Sequence, residues 1–299
     1  MTNFALVGAS GFVAPRHMRA IREAGGRLVA AVDPHDAAGA LDRWFEDTRF
    51  FTEIERFDRH IDRLRRGPEE GRVRWVSVCS PNYLHDAHIR MALRAGADCV
   101  CEKPIVINPW NLDAIRDIER ETGRHVFTVL QLRYHPKVVA LREKVLAAPK
   151  GRKHEVDLRY VTRRGPWYFV SWKGDDAKSG GLAMNIGVHF FDLLIWIFGK
   201  VEGVEVRRRE ASTMEGTLDL ERARVKWLLS VDPAHLPKGP DGKRRDVWRA
   251  FTVDGEEVEF SEGFEDLHTR VYREVLAGRG FGIEDARPSI DLVHRLRTP

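Results

Sequence analysis

The chain has 299 residues, 43% hydrophobic and 31% charged, with 49 Lys and Arg against 45 Asp and Glu for a formal charge of +4. That length suits about two domains and a core that needs no disulfide or metal staple. The charges are mixed, and clusters such as Arg63-Leu64-Arg65-Arg66 and Arg207-Arg208-Arg209 read as solvated faces, so no dense stripe or module points to nucleic acid. A modest positive field suits a small polyanionic substrate.

The first 130 residues alternate strand and helix. Strand 4–7 leads through a Gly-rich turn to a helix over 14–24. The β-branched run 27–32 ends at Asp33, and an amphipathic helix over 53–66 puts Ile54, Phe57, Ile61 and Leu64 on one face. Strand 74–80, helix 83–95, strand 97–101, helix 110–122 and strand 125–131 follow, with Pro109 and Gly123 as start and stop signals. Repeated βα units predict a doubly wound, mostly parallel sheet over 1–130.

The pattern then changes. Helix 136–147 and strand 154–162 precede a polar loop and a helix over 181–198. Strands over 201–210, 215–222, 223–231, 247–254 and 256–260 follow, the last pair joined by an Asp254-Gly255 hairpin. Residues 131–299 therefore read as an α+β domain with a large open, mostly antiparallel sheet, for substrate binding and oligomerisation, whose last helix packs back on the first domain. The bare face of such a sheet predicts a homotetramer, with Val225, Trp227 and Leu229 alternating on 223–231 as its contact, unless they face the domain's own helices. The Pro-, Gly- and Lys-rich loop 232–245 reads as a solvated connection.

No apolar run reaches membrane-spanning length; the longest, 188–198, is interrupted by His189 and Asp192. The chain enters its first strand without a basic leader, which predicts a cytoplasmic protein with no membrane partner. Cys79, Cys99 and Cys101 fall on predicted strands. Cys99 and Cys101 share a face, a weak metal signal that buried reduced thiols explain better, so no metal is expected.

Gly8-Ala9-Ser10-Gly11-Phe12-Val13-Ala14 is a relaxed Gly-x-Gly-x-x-Gly: Gly8 is in place, Ser10 and Val13 are not glycine, and Gly11 and Ala14 offset this. A helix start offers free amides and partial positive charge to a pyrophosphate. Asp33 ends the second strand, where a carboxylate accepts from adenosine ribose hydroxyls and repels a 2′-phosphate. Alone, Asp33 before Pro34 suits a turn equally well. Strand, turn, helix, strand and acid together point to NAD.

Two further units carry chemistry. Ser80-Pro81-Asn82 with His85, then Glu102-Lys103-Pro104, end successive strands, where open α/β sheets bind ligands. Downstream, Gly180-Gly181 leads to Asn185, His189 and Asp192. These residues resemble the Gfo/Idh/MocA oxidoreductases over essentially the whole chain. The resemblance implies a Rossmann domain followed by an α/β domain with an open sheet, and nicotinamide-dependent oxidation of pyranosides or polyols. A narrower likeness lies in 101–112, Gln131-Leu132-Arg133-Tyr134-His135-Pro136, Trp167-Tyr168, Ser171-Trp172-Lys173 and Met184-Asn185-Ile186-Gly187. It is to the branch of WlbA-type UDP-N-acetyl-2-amino-2-deoxy-D-glucuronate dehydrogenases. Their implied reaction oxidises the sugar C3 hydroxyl with NAD, ahead of a PLP aminotransferase, toward 2,3-diamino uronic acids of O-antigen and lipopolysaccharide. Some relatives reoxidise NADH in place with 2-oxoglutarate. Many family members have aspartate where this chain has Asn185, which can orient but not exchange a proton.

Removing a hydroxyl proton as hydride leaves needs a base within hydrogen-bond reach. His189 suits that role, and a satisfied helix histidine is the plainer reading. Lys103 can donate to the oxygen, polarise it or relay the proton; a salt bridge to Glu102 is the alternative. Arg163, Arg164, Trp167, Tyr168, Trp172 and Lys173 combine forked cations with aromatics, suited to a nucleotide-diphosphate sugar acid or to a basic surface loop. The expected catalytic pair is Lys103 and His189. The cofactor set is Gly8, Ser10, Gly11, Phe12, Val13, Asp33, Ser80, Pro81, Asn82, His85, Glu102, Lys103, Gln131 and Trp172. The substrate set adds Arg133, Tyr134, Arg163, Arg164, Trp167, Tyr168, Lys173, Lys178 and Asn185. A free-sugar, inositol or dihydrodiol dehydrogenase and a non-catalytic nicotinamide sensor are the alternatives.

Overall fold

The computed structural model describes residues 1–36, 38–239, 242–258 and 266–298. Two compact units account for the chain: residues 1–131 with 265–287, and residues 132–264 with 288–299.

In the first unit β1 (Thr2–Val7), α1 (Ala14–Glu23), β2 (Gly26–Val32), α2 (Ala38–Asp42), β3 (Arg49–Phe51), α3 (Ile54–Arg66), β4 (Trp75–Val78), α4 (His85–Arg94), β5 (Asp98–Cys101), α5 (Pro109–Thr122) and β6 (Val126–Thr128) follow in order. The six strands pair in the order β3-β2-β1-β4-β5-β6, all parallel. Phe4, Ala5 and Leu6 of β1 are fully buried, as expected of a strand covered on both faces. The α5 boundaries follow local chemistry: Pro109 is its first residue, and Gly123 at φ 64° returns its amide to the Glu119 carbonyl at 2.9 Å.

The second unit holds α6 (Pro136–Ala147), β7 (His154–Thr162), the short α7 (Trp167–Val170) and α8 (Asp176–Ser179), a π-helical turn at Ala183–Gly187, α9 (Val188–Phe198), β8 (Val201–Arg209), β9 (Thr213–Leu220), β10 (Ala223–Ser230), β11 (Val247–Val253) and β12 (Glu256–Glu257). Its sheet runs β12-β11-β7-β10-β9-β8 and is mixed, because β7 and β10 pair in parallel from His154↔Ala223 to Val161↔Ser230. Asp254 (φ 52°) and Gly255 (φ 83°) make the expected hairpin turn. Two last helices, α10 (Leu267–Leu276) and α11 (Ile283–Arg297), complete the chain. It is α10 that packs on α1; α11 begins in the first unit and continues in the second.

Four expectations need correction. The helix over 181–198 opens with a π turn, the wider winding that often marks a functional site. Of the strand over 256–260, only 256–257 is a described strand, and 259–260 lie outside the described residues. Val225, Trp227 and Leu229 do not form a bare face: they are at most 3% exposed, with Trp227 edge-on to Phe191 of α9 at 5.3 Å. Strand alternation puts the charged Arg224 and Lys226 on the other face instead. Finally, Asp176–Phe198 does have the length and mean hydropathy, 1.6, of a membrane-crossing helix, but 72% of that window is buried, as in a core helix.

Candidate functional site

The Gly turn is shaped by close backbone approach. Gly8 sits at φ 89°, and a Cβ there would lie 2.6 Å from the Cys79 carbonyl carbon and 2.7 Å from the Ser80 nitrogen. Only glycine lets the turn press against the end of β4. The turn is tied to β2 by Gly8 N–H to the Val32 carbonyl, 2.9 Å, and by Ser10 N–H to Asp33 Oδ2, 2.9 Å. Asp33 Oδ1 accepts the His35 amide at 2.9 Å, so this carboxylate holds the turn and each oxygen keeps a lone pair for another donor. Phe12 is 83% exposed, and the Phe12 and Val13 amides have no acceptor among the described residues. Two free amides opening α1, with no acid in its first turn, fit an anion.

At the next strand ends, His85 is fully buried and bridges the Ser80 and Pro104 carbonyls, each at 2.7 Å. It clamps the Ser80-Pro81-Asn82 turn to the segment after Lys103, whose bond to Pro104 is cis. Burial lowers the His85 pKa, opposed by the two carbonyl contacts. Ser80 Oγ lies 2.8 Å from His88 Nδ1, and burial pushes His88 down to about 4. Glu102 gives Lys103 an amide acceptor (3.1 Å), while its other oxygen takes His17 Nε2 and His268 Nε2 at 2.9 and 3.0 Å. Lys103 itself is half-buried. Gln131 Oε1 is buried with no partner among the described residues, an acceptor left for a ligand. Positive-φ Gly8, the free amides, Asp33 and Gln131 together fit a dinucleotide.

In the second unit Asn185, in the π turn, hydrogen-bonds Tyr168, whose phenol pKa is raised mainly by burial. His189 lies half-buried in the first turn of α9. Arg133 is buried and forked onto Asp192 of α9 at 3.0 and 2.7 Å, so two of its donors hold α9 rather than face a ligand. Tyr134 is buried beside it in the chain. Lys173 Nζ sits over Trp167 and Trp172 at 5.3 and 5.7 Å, and Arg164 stacks on Trp167 at 5.9 Å. Burial, then Arg164, lowers the Lys173 pKa. Arg163 and Lys178 are exposed and pair with Asp246 and Asp175.

Sequence reasoning missed His17, Ser77, His88, His268 and Tyr272. A signal was available: His17 shares the buried stripe Ala14, Met18, Ile21 of α1, and His268 the stripe Leu267, Val271, Val275 of α10. A histidine at a core position of an amphipathic helix calls for a buried partner.

Residues 2–130 match the family model described as oxidoreductase family, NAD-binding Rossmann fold, and residues 151–236 the one described as oxidoreductase family, C-terminal alpha/beta domain. The chain belongs to the Gfo/Idh/MocA oxidoreductase family. Its first unit is thus an NAD-binding Rossmann domain. The WlbA (WbpB) dehydrogenase from Thermus thermophilus, in complex with NAD and alpha-ketoglutarate, is 51% identical with a TM-score of 0.93, covering 100% of this chain and 95% of that one. The same enzyme in complex with NAD and UDP-GlcNAcA gives 50% identity, a TM-score of 0.93 and the same coverage. Among curated proteins, D-glucoside 3-dehydrogenase of Escherichia coli is 31% identical over 42% of this chain and 35% of its own length. The chain thus spans about a third of that relative.

Proposed function

We propose that this protein oxidises the C3 hydroxyl of UDP-N-acetyl-2-amino-2-deoxy-D-glucuronate to the ketone, using NAD. The observation that carries this reading is the full-length likeness, at 50% identity, to a dehydrogenase crystallised with NAD and UDP-GlcNAcA. Bound NAD supplies the hydride acceptor. The chain's own part is to hold it: the Gly8–Val13 turn at the diphosphate, Asp33 at the adenosine ribose, and the Ser80–Asn82 turn with Gln131 toward the nicotinamide. Lys103 and His189 handle the hydroxyl proton, one polarising the oxygen and the other accepting the proton. Asn185 and Tyr168 orient the sugar. Arg164, Lys173 and the two tryptophans suit a diphosphate and a ring face.

2-Oxoglutarate is the proposed acceptor that regenerates NAD in place, supported by the complex of the 51% identical relative. A PLP aminotransferase then consumes the ketone, in the assembly of 2,3-diamino uronic acids for O-antigen or lipopolysaccharide. We place the reaction in the cytoplasm and the chain in a homotetramer. The test follows nicotinamide absorbance on adding UDP-GlcNAcA, with and without 2-oxoglutarate. Turnover dependent on the uridine nucleotide is expected; activity on a free sugar alone, or NAD binding without turnover, would overturn the proposal.

A further inference from the structure

Within the first unit, a buried hydrogen-bond chain runs from β4 through α10 and α1 to the residue that precedes Lys103. Ser77 Oγ lies 2.6 Å from Tyr272 Oη, and Tyr272 Oη lies 2.7 Å from His17 Nδ1. His17 Nε2 then meets Glu102 Oε1 at 2.9 Å, and His268 Nε2 meets the same oxygen at 3.0 Å. Ser77, His17 and Tyr272 are completely buried, and Glu102 and His268 are 5% exposed.

Chemistry fixes the direction of every proton in this chain. Burial opposes ionisation of Glu102, but the hydrogen bonds from His17 and His268 outweigh it and hold the carboxyl well below its usual range. Burial also lowers His17, which is therefore neutral and carries one ring proton. An ionised carboxylate only accepts, so that proton is on Nε2, and Nδ1 must accept. Tyr272, kept protonated by burial, donates to Nδ1, and its oxygen accepts from Ser77. All donors point toward Glu102. Its other oxygen accepts the Lys103 amide at 3.1 Å.

We propose that His17, His268 and Tyr272 are positioning residues for Lys103: they hold Glu102 as a fixed anion that anchors the Lys103 backbone. The carboxylate has one strand-end amide to serve, and helices far apart in sequence converge on it to keep it from turning. This rests on the reading that Lys103 acts on the reacting hydroxyl, and α10 thereby has a part in that reading although no motif lies on it.

The test compares His268→Leu, His268→Gln and Tyr272→Phe. Glutamine retains a donor close to the Nε2 position, and Tyr272→Phe keeps the ring against Phe4 while removing the hydroxyl. In the cofactor-free protein, hydrogen exchange at the Lys103 amide should quicken about tenfold or more in His268→Leu and Tyr272→Phe, and return toward wild type in His268→Gln. In turnover, kcat should fall about tenfold with KM for NAD and sugar nucleotide little changed, as for a misplaced reacting group. In a Lys103→Ala background the His268→Leu loss should shrink to under about twofold, because both changes act on one group. Full activity of Lys103→Ala would refute the catalytic reading of Lys103 whatever the exchange data show. An inactive Lys103→Ala beside unchanged exchange and kcat in His268→Leu, or strictly additive losses, would overturn the positioning role. If His268→Leu fails to fold, Tyr272→Phe carries the same comparison.

Discussion

Removing the Arg133 side chain should destabilise the second unit more than removing any exposed cation. The Arg133 and Asp192 side chains are 7% and 4% exposed, joined by two hydrogen bonds at 3.0 and 2.7 Å. Arg133→Met leaves the Asp192 carboxylate buried without its cation, a loss of about 3–5 kcal/mol. Asp192→Leu removes the carboxylate from the buried guanidinium and should cost a similar amount. The double variant replaces a buried ion pair with apolar groups, which is often close to neutral, so it should lie within about 2 kcal/mol of wild type. Urea denaturation with an unchanged m-value measures all four corners of this cycle. A cost below about 1 kcal/mol for Arg133→Met, or a double variant as unstable as the sum of the singles, would refute the pair as a strut.

Gly8→Ala combines a positive φ with a Cβ 2.6 Å from the Cys79 carbonyl carbon, so it should cost about 2–4 kcal/mol and weaken NAD binding about tenfold or more, measured by melting and cofactor titration; an unchanged Kd would move the cofactor off this turn. His88, depressed to about 4 by burial, is neutral in the fold and takes up a proton on unfolding below its ordinary value. Its contribution, up to about 3 kcal/mol, is present above pH 6.5 and lost as pH falls to about 4; a His88→Gln variant should lose that slope in acid denaturation. Asp33 followed by Pro34, His35 and Asp36 presents carboxylate rather than cation to a 2′-phosphate, so kcat/KM should favour NAD over NADP by about a hundredfold, and Asp33→Ser should narrow the gap. Equal values for the two cofactors would show that Asp33 serves the turn alone. Lys103→Ala and His189→Ala should each lower kcat about a hundredfold or more, with NAD binding retained.

The first sheet was legible because its strands are continuous apolar runs and its helices carry start and stop residues such as Pro109 and Gly123. β3, only Arg49–Phe51, is too short to leave a period, and α10 follows residues with no strong pattern. The parallel pairing of β7 with β10 is not local information: it depends on how strands far apart in sequence meet. In the site, Gly8, Asp33 and Glu102-Lys103-Pro104 were visible as motifs. The network around Glu102 was not, because His17 and His268, which meet its carboxylate, and Tyr272 behind His17 come from two helices far apart in the sequence. Arg133 illustrates the opposite error: a cation in a motif looked available to a substrate, while Asp192, seen as a marker of its own, proved to be its partner.

The most direct measurement of the proposed reaction uses UDP-N-acetyl-2-amino-2-deoxy-D-glucuronate deuterated at C3. One turnover on the NAD-loaded protein, quenched and analysed by mass spectrometry, should give a ketone that has lost the deuterium and a reduced nicotinamide that has gained it. With 2-oxoglutarate present, the label should pass on to C2 of 2-hydroxyglutarate. Deuterium retained in the sugar product, or a nicotinamide that stays oxidised and unlabelled, would contradict C3 oxidation by this protein.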